Sequence, residues 1–380
     1  MKYLERTIEQ NFDKLVLPNK VLIILGARRV GKTELIKAQL SNIIEPYLFL
    51  NGDDNTTALL LSNRTIENYK RLLGDKKLLV IDEAQTIPDI GRILKLMVDE
   101  ILGLKIIATG SSLFDLNNAL GEPLTGRNIT IKLFPFSQLE FSQQEGLIET
   151  KSRLEERLIL GSYPELLQYN SWDEKSTYLS SLVNSYLLKD ILTFEKLKKH
   201  NKIINLLRLI AFQIGKEVSL PELGQQLGLD KNTVERYLDL LTKVFVVYKL
   251  QAYSKNQRKE ISKSSRWYFY DNGIRNALIA NVNHLALRTD QGELWENYLV
   301  SERLKLQSYK GMLVNNYFWR TYSQQEIDWV EERDGKIFAY EFKWNAKKIK
   351  GAPSSWKKFY PDAEFKTIHL DNYLDFITLK

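Results

Sequence analysis

The apolar run Val21-Leu22-Ile23-Ile24-Leu25 passes directly into Gly26-Ala27-Arg28-Arg29-Val30-Gly31-Lys32-Thr33. Glu34-Leu35-Ile36-Lys37-Ala38-Gln39-Leu40 comes next and reads as a helix. The eight central residues fit the phosphate-binding pattern G-x-x-x-x-G-K-[ST] at every fixed position, in the strand–loop–helix setting that gives the pattern meaning. The physical reason is local. Gly26 and Gly31 let the backbone curl so that successive N–H groups can face phosphate oxygens. The helix adds its positive N-terminal end. The backbone of Gly26, Ala27, Arg28, Arg29, Val30 and Gly31 is therefore expected to cradle a nucleotide. Lys32 is expected to reach its terminal phosphates, and the Thr33 hydroxyl to ligate Mg²⁺.

A second apolar strand, Leu78-Leu79-Val80-Ile81, ends in Asp82-Glu83-Ala84-Gln85. Carboxylates at the end of a parallel strand lie where α/β sheets bind ligands. Asp82 is the expected partner of Mg²⁺, and Glu83 is placed to polarise an attacking water. A third strand, Leu104 to Ala108, ends in Thr109-Gly110-Ser111-Ser112. Ser111 can sense a γ-phosphate or the lytic water; the competing reading is an ordinary strand-to-helix cap. Arg127, on the turn Leu124-Thr125-Gly126-Arg127, is either an arginine finger for a neighbouring subunit or a plain ion-pair residue.

At 380 residues the chain has room for two or three cores, and 44% hydrophobic with 27% charged residues is ordinary for a globular protein. It has no cysteine, which excludes disulfides, thiolate metal sites and cysteine nucleophiles and fits a reducing cytoplasm. His200, His284 and His369 are too scattered in sequence to suggest a zinc cluster. The N-terminus lacks the apolar core of a signal peptide, and no run approaches the 18 or so apolar residues of a membrane span. A cytoplasmic protein with no membrane partner is expected. The net charge of +7 permits a nucleic-acid partner without demanding one.

Residues 1–135 alternate strands and helices, with Tyr47-Leu48-Phe49-Leu50 and Ile129 to Leu133 as further strands, which predicts a parallel nucleotide-binding sheet. Residues 136–195 read as a helical lid. Residues 196–285 read as a winged helix: helices over Ile203 to Ile214, from Ser219, and over Lys231 to Leu241, then strands Val244 to Tyr248 and Arg266 to Tyr270. Its candidate DNA contacts are Lys231 and Arg236 on the recognition helix and Lys255, Arg258, Lys259 and Lys263 on the wing, although Glu235 and Asp239 oppose phosphate. Packing against protein is the alternative.

Residues 286–380 carry a helix with Glu293 and Glu296, a strand begun by Phe318-Trp319-Arg320, and two strands with Asp328 and Glu341-Phe342-Lys343. Alternation puts Glu341 and Lys343 on one strand face. This D…E-x-K pattern is that of restriction-type nucleases, with Glu296, Asp328 and Glu341 as candidate Mg²⁺ ligands and Lys343 as the residue that orients water. A surface Glu–Lys pair on a degenerate core is the alternative.

Together these motifs resemble a family of bacterial and archaeal AAA-type ATPases with a C-terminal restriction-nuclease-like domain of unknown function. The marks run over nearly the whole chain: Gly26 to Thr33, Ile81 to Gln85, Thr109 to Ser112, Leu124 to Arg127, Phe134-Pro135-Phe136-Ser137, Gly161 to Glu165, Tyr186 to Asp190, Phe318 to Arg320, Glu326-Ile327-Asp328 and Tyr340 to Lys343. Ala27 stands where the family often has Pro. The resemblance implies an α/β fold, a P-loop AAA-type parallel sheet with helical lid, then the winged helix and the α/β nuclease-like domain. It implies ATP binding and hydrolysis and no defined substrate; Thr33 and Asp82 predict Mg²⁺, and Arg127 after the sensor strand predicts a homo-oligomer formed through the ATPase domain.

Overall fold

A computed structural model describes residues 3–111, 124–184, 200–254, 265–345 and 351–379. Its contacts divide the chain into two compact units. One comprises Glu5–Phe134 with Lys243–Phe245, and the other Met1–Leu4, Pro135–Thr242 and Val246–Lys380.

The first unit is built on a five-stranded sheet in the order β2-β3-β4-β1-β5. The strands are β1 (Lys20–Leu25), β2 (Tyr47–Asn51), β3 (Leu78–Asp82), β4 (Lys105–Gly110) and β5 (Asn128–Lys132). Every pairing is parallel. The runs Val21–Leu25 and Leu78–Ile81 are fully buried, as strands covered on both faces require. Around them lie α1 (Lys32–Leu40), α2 (Asn55–Ser62), α3 (Ile66–Leu73) and α4 (Ile90–Glu100). Asp54 caps α2 and Thr65 caps α3 through their side chains. Because all strands point one way, Leu25, Asp82 and Gly110 finish at one edge.

The second unit holds a seven-stranded mixed sheet in the order β12-β11-β10-β9-β7-β8-β6. Its strands are β6 (Glu217–Val218), β7 (Val247–Ala252), β8 (Ser265–Phe269), β9 (Asn315–Arg320), β10 (Glu326–Arg333), β11 (Lys336–Phe342) and β12 (Glu364–Ile368). Its helices include α5 (Leu154–Leu160), α6 (Trp172–Leu182), α7 (His200–Phe212), α8 (Leu220–Leu227), α9 (Lys231–Lys243) and α10 (Gln291–Tyr309).

Three expectations change here. The division at 285/286 cuts through one continuous sheet, because β7 pairs with β9 through Gln251↔Tyr317 and Ala252↔Phe318. The segment expected as a separate lid packs inside this unit: Asn272 and Asn276 donate to the Leu158 carbonyl, and Ser162 N donates to Asp271 at 2.8 Å. Phe318-Trp319-Arg320 ends β9 instead of beginning it. Buried rings of Tyr268, Trp295, Tyr298, Trp329 and Tyr373 form the core between α10 and the sheet. Among the described residues no helix is long and apolar enough to cross a membrane.

Candidate nucleotide site

Gly26 is obligatory at the end of β1: a Cβ there would lie 2.1 Å from the carbonyl oxygen of Leu133. Arg29 (φ 64°) and Gly31 (φ 93°) take left-handed backbone, and α1 starts immediately after them at Lys32. The loop therefore curls as its glycines predict. Lys32 is buried, and its ammonium donates to the carbonyls of Gly26 (2.9 Å) and Ala27 (3.1 Å), holding the loop closed on itself. Arg6, which the sequence did not single out, is buried and donates to the carbonyls of Val30 and Phe134, steadying the loop from outside.

The strand ends bring the expected acids to this loop. Thr33 Oγ1 donates to Asp82 Oδ2 at 2.7 Å, and Thr109 Oγ1 donates to Asp82 Oδ1. Glu83 N donates to Thr109 Oγ1 at 2.9 Å, and Glu83 takes left-handed backbone at φ 50°. Such a conformation in a residue other than glycine is strained, and strain of this kind concentrates at functional sites. Gln85 Nε2 donates to Glu83 Oε2 at 2.5 Å and to the buried Ser111 Oγ at 3.4 Å. Ser112 lies outside the described residues.

The donor set fits Mg²⁺. A hydroxyl and a carboxylate oxygen stand side by side at Thr33 and Asp82, both hard ligands, and Mg²⁺ on a nucleotide normally takes its remaining ligands from phosphate and water. Thr109 is one of the strand-end hydroxyls read from the sequence, and Gln85 is a contact to Glu83 to which that reading gave no role. Their polar side chains directly after buried apolar strands were the available signal.

Arg127 is elsewhere. Its carbonyl accepts from Val21 N, so it stands where β1 and β5 begin, and the phosphate loop lies where they end. The five residues of β5 separate the two edges by roughly 16 Å. Its Nε donates to Asp99 at 2.5 Å. The structure does not bring Arg127 to Lys32 or Glu83 of its own chain.

The C-terminal acids form a second cluster. The pairing Trp329↔Tyr340 sets Asp328 across from Glu341 on one face of the β10–β11 hairpin. Into this cluster, however, the sheet brings Arg266 of β8, which the sequence placed at the start of the second strand of the winged helix. Its side chain is 5% exposed and stands 2.7 Å from Glu326, 3.6 Å from Asp328 and 3.8 Å from Glu296. Tyr268 donates to Glu296 at 2.6 Å, Phe342 N to Asp328 at 2.8 Å, and Lys343 to Glu341 at 2.5 Å.

Burial, followed by the charge of Asp328, pushes the Glu296 carboxyl up to about 8. The same two causes push Glu341 up to about 7. Burial also raises Asp328. Among the described residues no group of three or more Asp, Glu or His side chains is arranged to hold a metal ion. Glu296, Asp328 and Glu341 thus share one cluster, with Arg266 and Lys343 as its cations.

On the face expected to meet DNA, Lys231 and Arg236 are exposed on α9, as is Asp239. Lys255, Arg258, Lys259 and Lys263 lie outside the described residues.

Three family models match the sequence. An AAA domain covers residues 18–142, a domain of unknown function (DUF8612) residues 151–285, and another (DUF4143) residues 291–372. An uncharacterized protein of Mycobacterium tuberculosis is 26% identical over 327 residues, which span 85% of this chain and 70% of that protein. An uncharacterized protein of Methanocaldococcus jannaschii is 21% identical over 345 residues, spanning 86% and 75%. Among solved structures, Thermotoga maritima RuvB covers 65% of this chain and 93% of its own at 15% identity, with a TM-score of 0.32, too low a score to bear on function.

The parallel sheet and phosphate loop define a P-loop nucleotide-binding unit. The AAA domain match over residues 18–142 falls on this unit, and the DUF4143 match lies on the C-terminal part of the other.

Proposed function

We propose that this protein hydrolyses ATP and couples nucleotide state to DNA binding by its C-terminal half. The observation that carries the ATPase part is the unbroken hydrogen-bond chain from Thr33 through Asp82 and Thr109 to the backbone N–H of Glu83. In this reading Lys32 meets the terminal phosphates, and Thr33 and Asp82 hold Mg²⁺, which supplies charge neutralisation when bound. Glu83 takes the proton of the attacking water.

The DNA part rests on Lys231 and Arg236, exposed on α9, and on the net charge of +7. The decisive experiment measures ATP turnover with single-stranded DNA, duplex DNA, RNA or none, with nicking followed in the same tubes. Stimulation by DNA that is lost in Lys231→Glu/Arg236→Glu supports the reading. Turnover indifferent to all nucleic acids transfers α9 to protein recognition, and the protein to a signalling switch. A DNA nuclease is the weaker alternative, since Arg266 stands among the carboxylates.

We further propose that Arg127 acts in trans within a homo-oligomer, because its distance from the phosphate loop of its own chain keeps it from the nucleotide bound there. Mixing Arg127→Ala with Glu83→Gln subunits tests this. Recovered turnover supports the trans role. A monomer by light scattering with ATP, and no recovery, removes it.

A further inference from the structure

Gln85 has two chemical ends, and only one is satisfied. Its amide nitrogen donates to Glu83 Oε2 at 2.5 Å and lies 3.4 Å from Ser111 Oγ. That neighbour settles which end is which, since a carbonyl oxygen against a carboxylate would be repelled. The amide oxygen Oε1 is then shut off from solvent and accepts no hydrogen bond within the described residues. An unsatisfied buried acceptor of this kind costs about 1–3 kcal/mol. Its position is specific. Gln85 opens the short turn that follows the strained Glu83, and its amide ties the end of β3 to Ser111 just beyond β4. Thr109, one residue before Gly110, holds both Asp82 and the Glu83 backbone.

We infer that Gln85 is the positioning residue for the attacking water in ATP hydrolysis. This rests on the ATPase reading above. The amide nitrogen holds the Glu83 carboxylate in one orientation, and that carboxylate accepts a hydrogen bond from the attacking water and so fixes the direction of its lone pair. In the step that follows, the water oxygen bonds to the γ-phosphorus. The bond from that phosphorus to the bridging oxygen breaks, and its electron pair leaves with ADP. The water proton passes to Glu83. A tie to Ser111 makes the arrangement depend on both strand ends, so a shift of either one misaligns the water. Misplacement of this order costs up to about a hundredfold in rate.

The experiment compares the full chain with Gln85→Met, which keeps length and loses both polar ends, and Gln85→Glu, which keeps shape and replaces the donor with a charge against Glu83. Steady-state turnover is measured beside titrations with a fluorescent ATP analogue and with ADP–aluminium fluoride, a transition-state mimic. The expected result is a fall in kcat of roughly tenfold to a hundredfold in both variants. ATP affinity should stay within about twofold while affinity for the mimic falls with kcat. Unchanged kcat in both variants overturns the inference. So does an equal loss of affinity for ATP and for the mimic, which marks a merely structural residue. Gln85→Glu at the wild-type rate with Gln85→Met impaired overturns it too, because the amide donor to Glu83 would then be dispensable. The ATPase reading fails separately, and this inference with it, if the wild-type chain turns over ATP no faster than Lys32→Ala.

Discussion

The two acidic clusters of this molecule begin from the same materials and end differently. At the strand ends of the first unit, Asp82 meets two hydroxyls, Thr33 and Thr109. Hydroxyls satisfy its lone pairs but leave its charge unmatched, so a diffusible cation has a reason to come. On the β10–β11 hairpin, Asp328 meets a backbone N–H and the guanidinium of Arg266. There the protein supplies the cation itself. The lesson is that carboxylate spacing does not identify a metal site. The charge of the residues that surround the carboxylates decides whether the site needs a metal at all.

The largest effect expected separates the clusters by chemistry. Glu83→Gln should lower turnover roughly 10²–10⁴-fold, the range for a positioned acid–base group, with ATP affinity and melting temperature nearly unchanged. Lys32→Ala should lose ATP affinity as well. Isothermal titration beside steady-state kinetics checks both. Equal loss of affinity in the two variants would erase the distinction between a group that meets ground-state phosphate and one that acts on water.

The second effect moves stability and spares chemistry. Arg266→Met removes the buried cation from among Glu296, Glu326 and Asp328, and breaking such a pair costs about 3–5 kcal/mol. Denaturant unfolding should show that loss, while ATP turnover per folded molecule in the absence of DNA stays within about twofold. Arg266→Lys should recover only part of the stability, since an ammonium cannot span three carboxylates as a planar fork does. Stability unchanged in Arg266→Met would mean that this cluster, like the first, draws its cation from solution.

Why one cluster was legible in the sequence and the other was not follows from the same contrast. Gly26 to Thr33 and Asp82-Glu83 are contiguous motifs whose geometry is set by the strand before them, and reading strand, loop and helix in order was enough. Glu341 and Lys343 were also placed on one strand face, because period-two alternation is local. Arg266 was different. It sits 62 residues before Asp328 on a strand of another expected domain, and it reaches the acids only because β7 joins β9 and closes a single sheet. That join involves two residue pairs, 66 residues apart, with no turn signal between them. The contacts of Thr109 and Gln85 were not legible for a smaller reason: a hydroxyl or amide after a strand also caps helices, and nothing local says which acid it faces.

The smallest effect is a slope. Glu296 and Glu341 hold their protons to about 8 and about 7, against ordinary values near 4.5, first because burial disfavours their charged forms and then because Asp328 adds like charge. The folded chain therefore binds more protons than the unfolded chain between those limits. Stability from these groups is fully present below about 4.5, declines as pH rises, and is gone above about 8. Glu296→Gln keeps an acceptor for Tyr268 and removes the titration. It should flatten the decline and leave the variant more stable than wild type at pH 8.5. Thermal melts across pH 5–9 would read this as a gain of roughly 2–4 °C for each kcal/mol recovered. A wild-type stability that rises over this range would show that Arg266 and Lys343 hold these carboxylates ionised, leaving the second cluster charged.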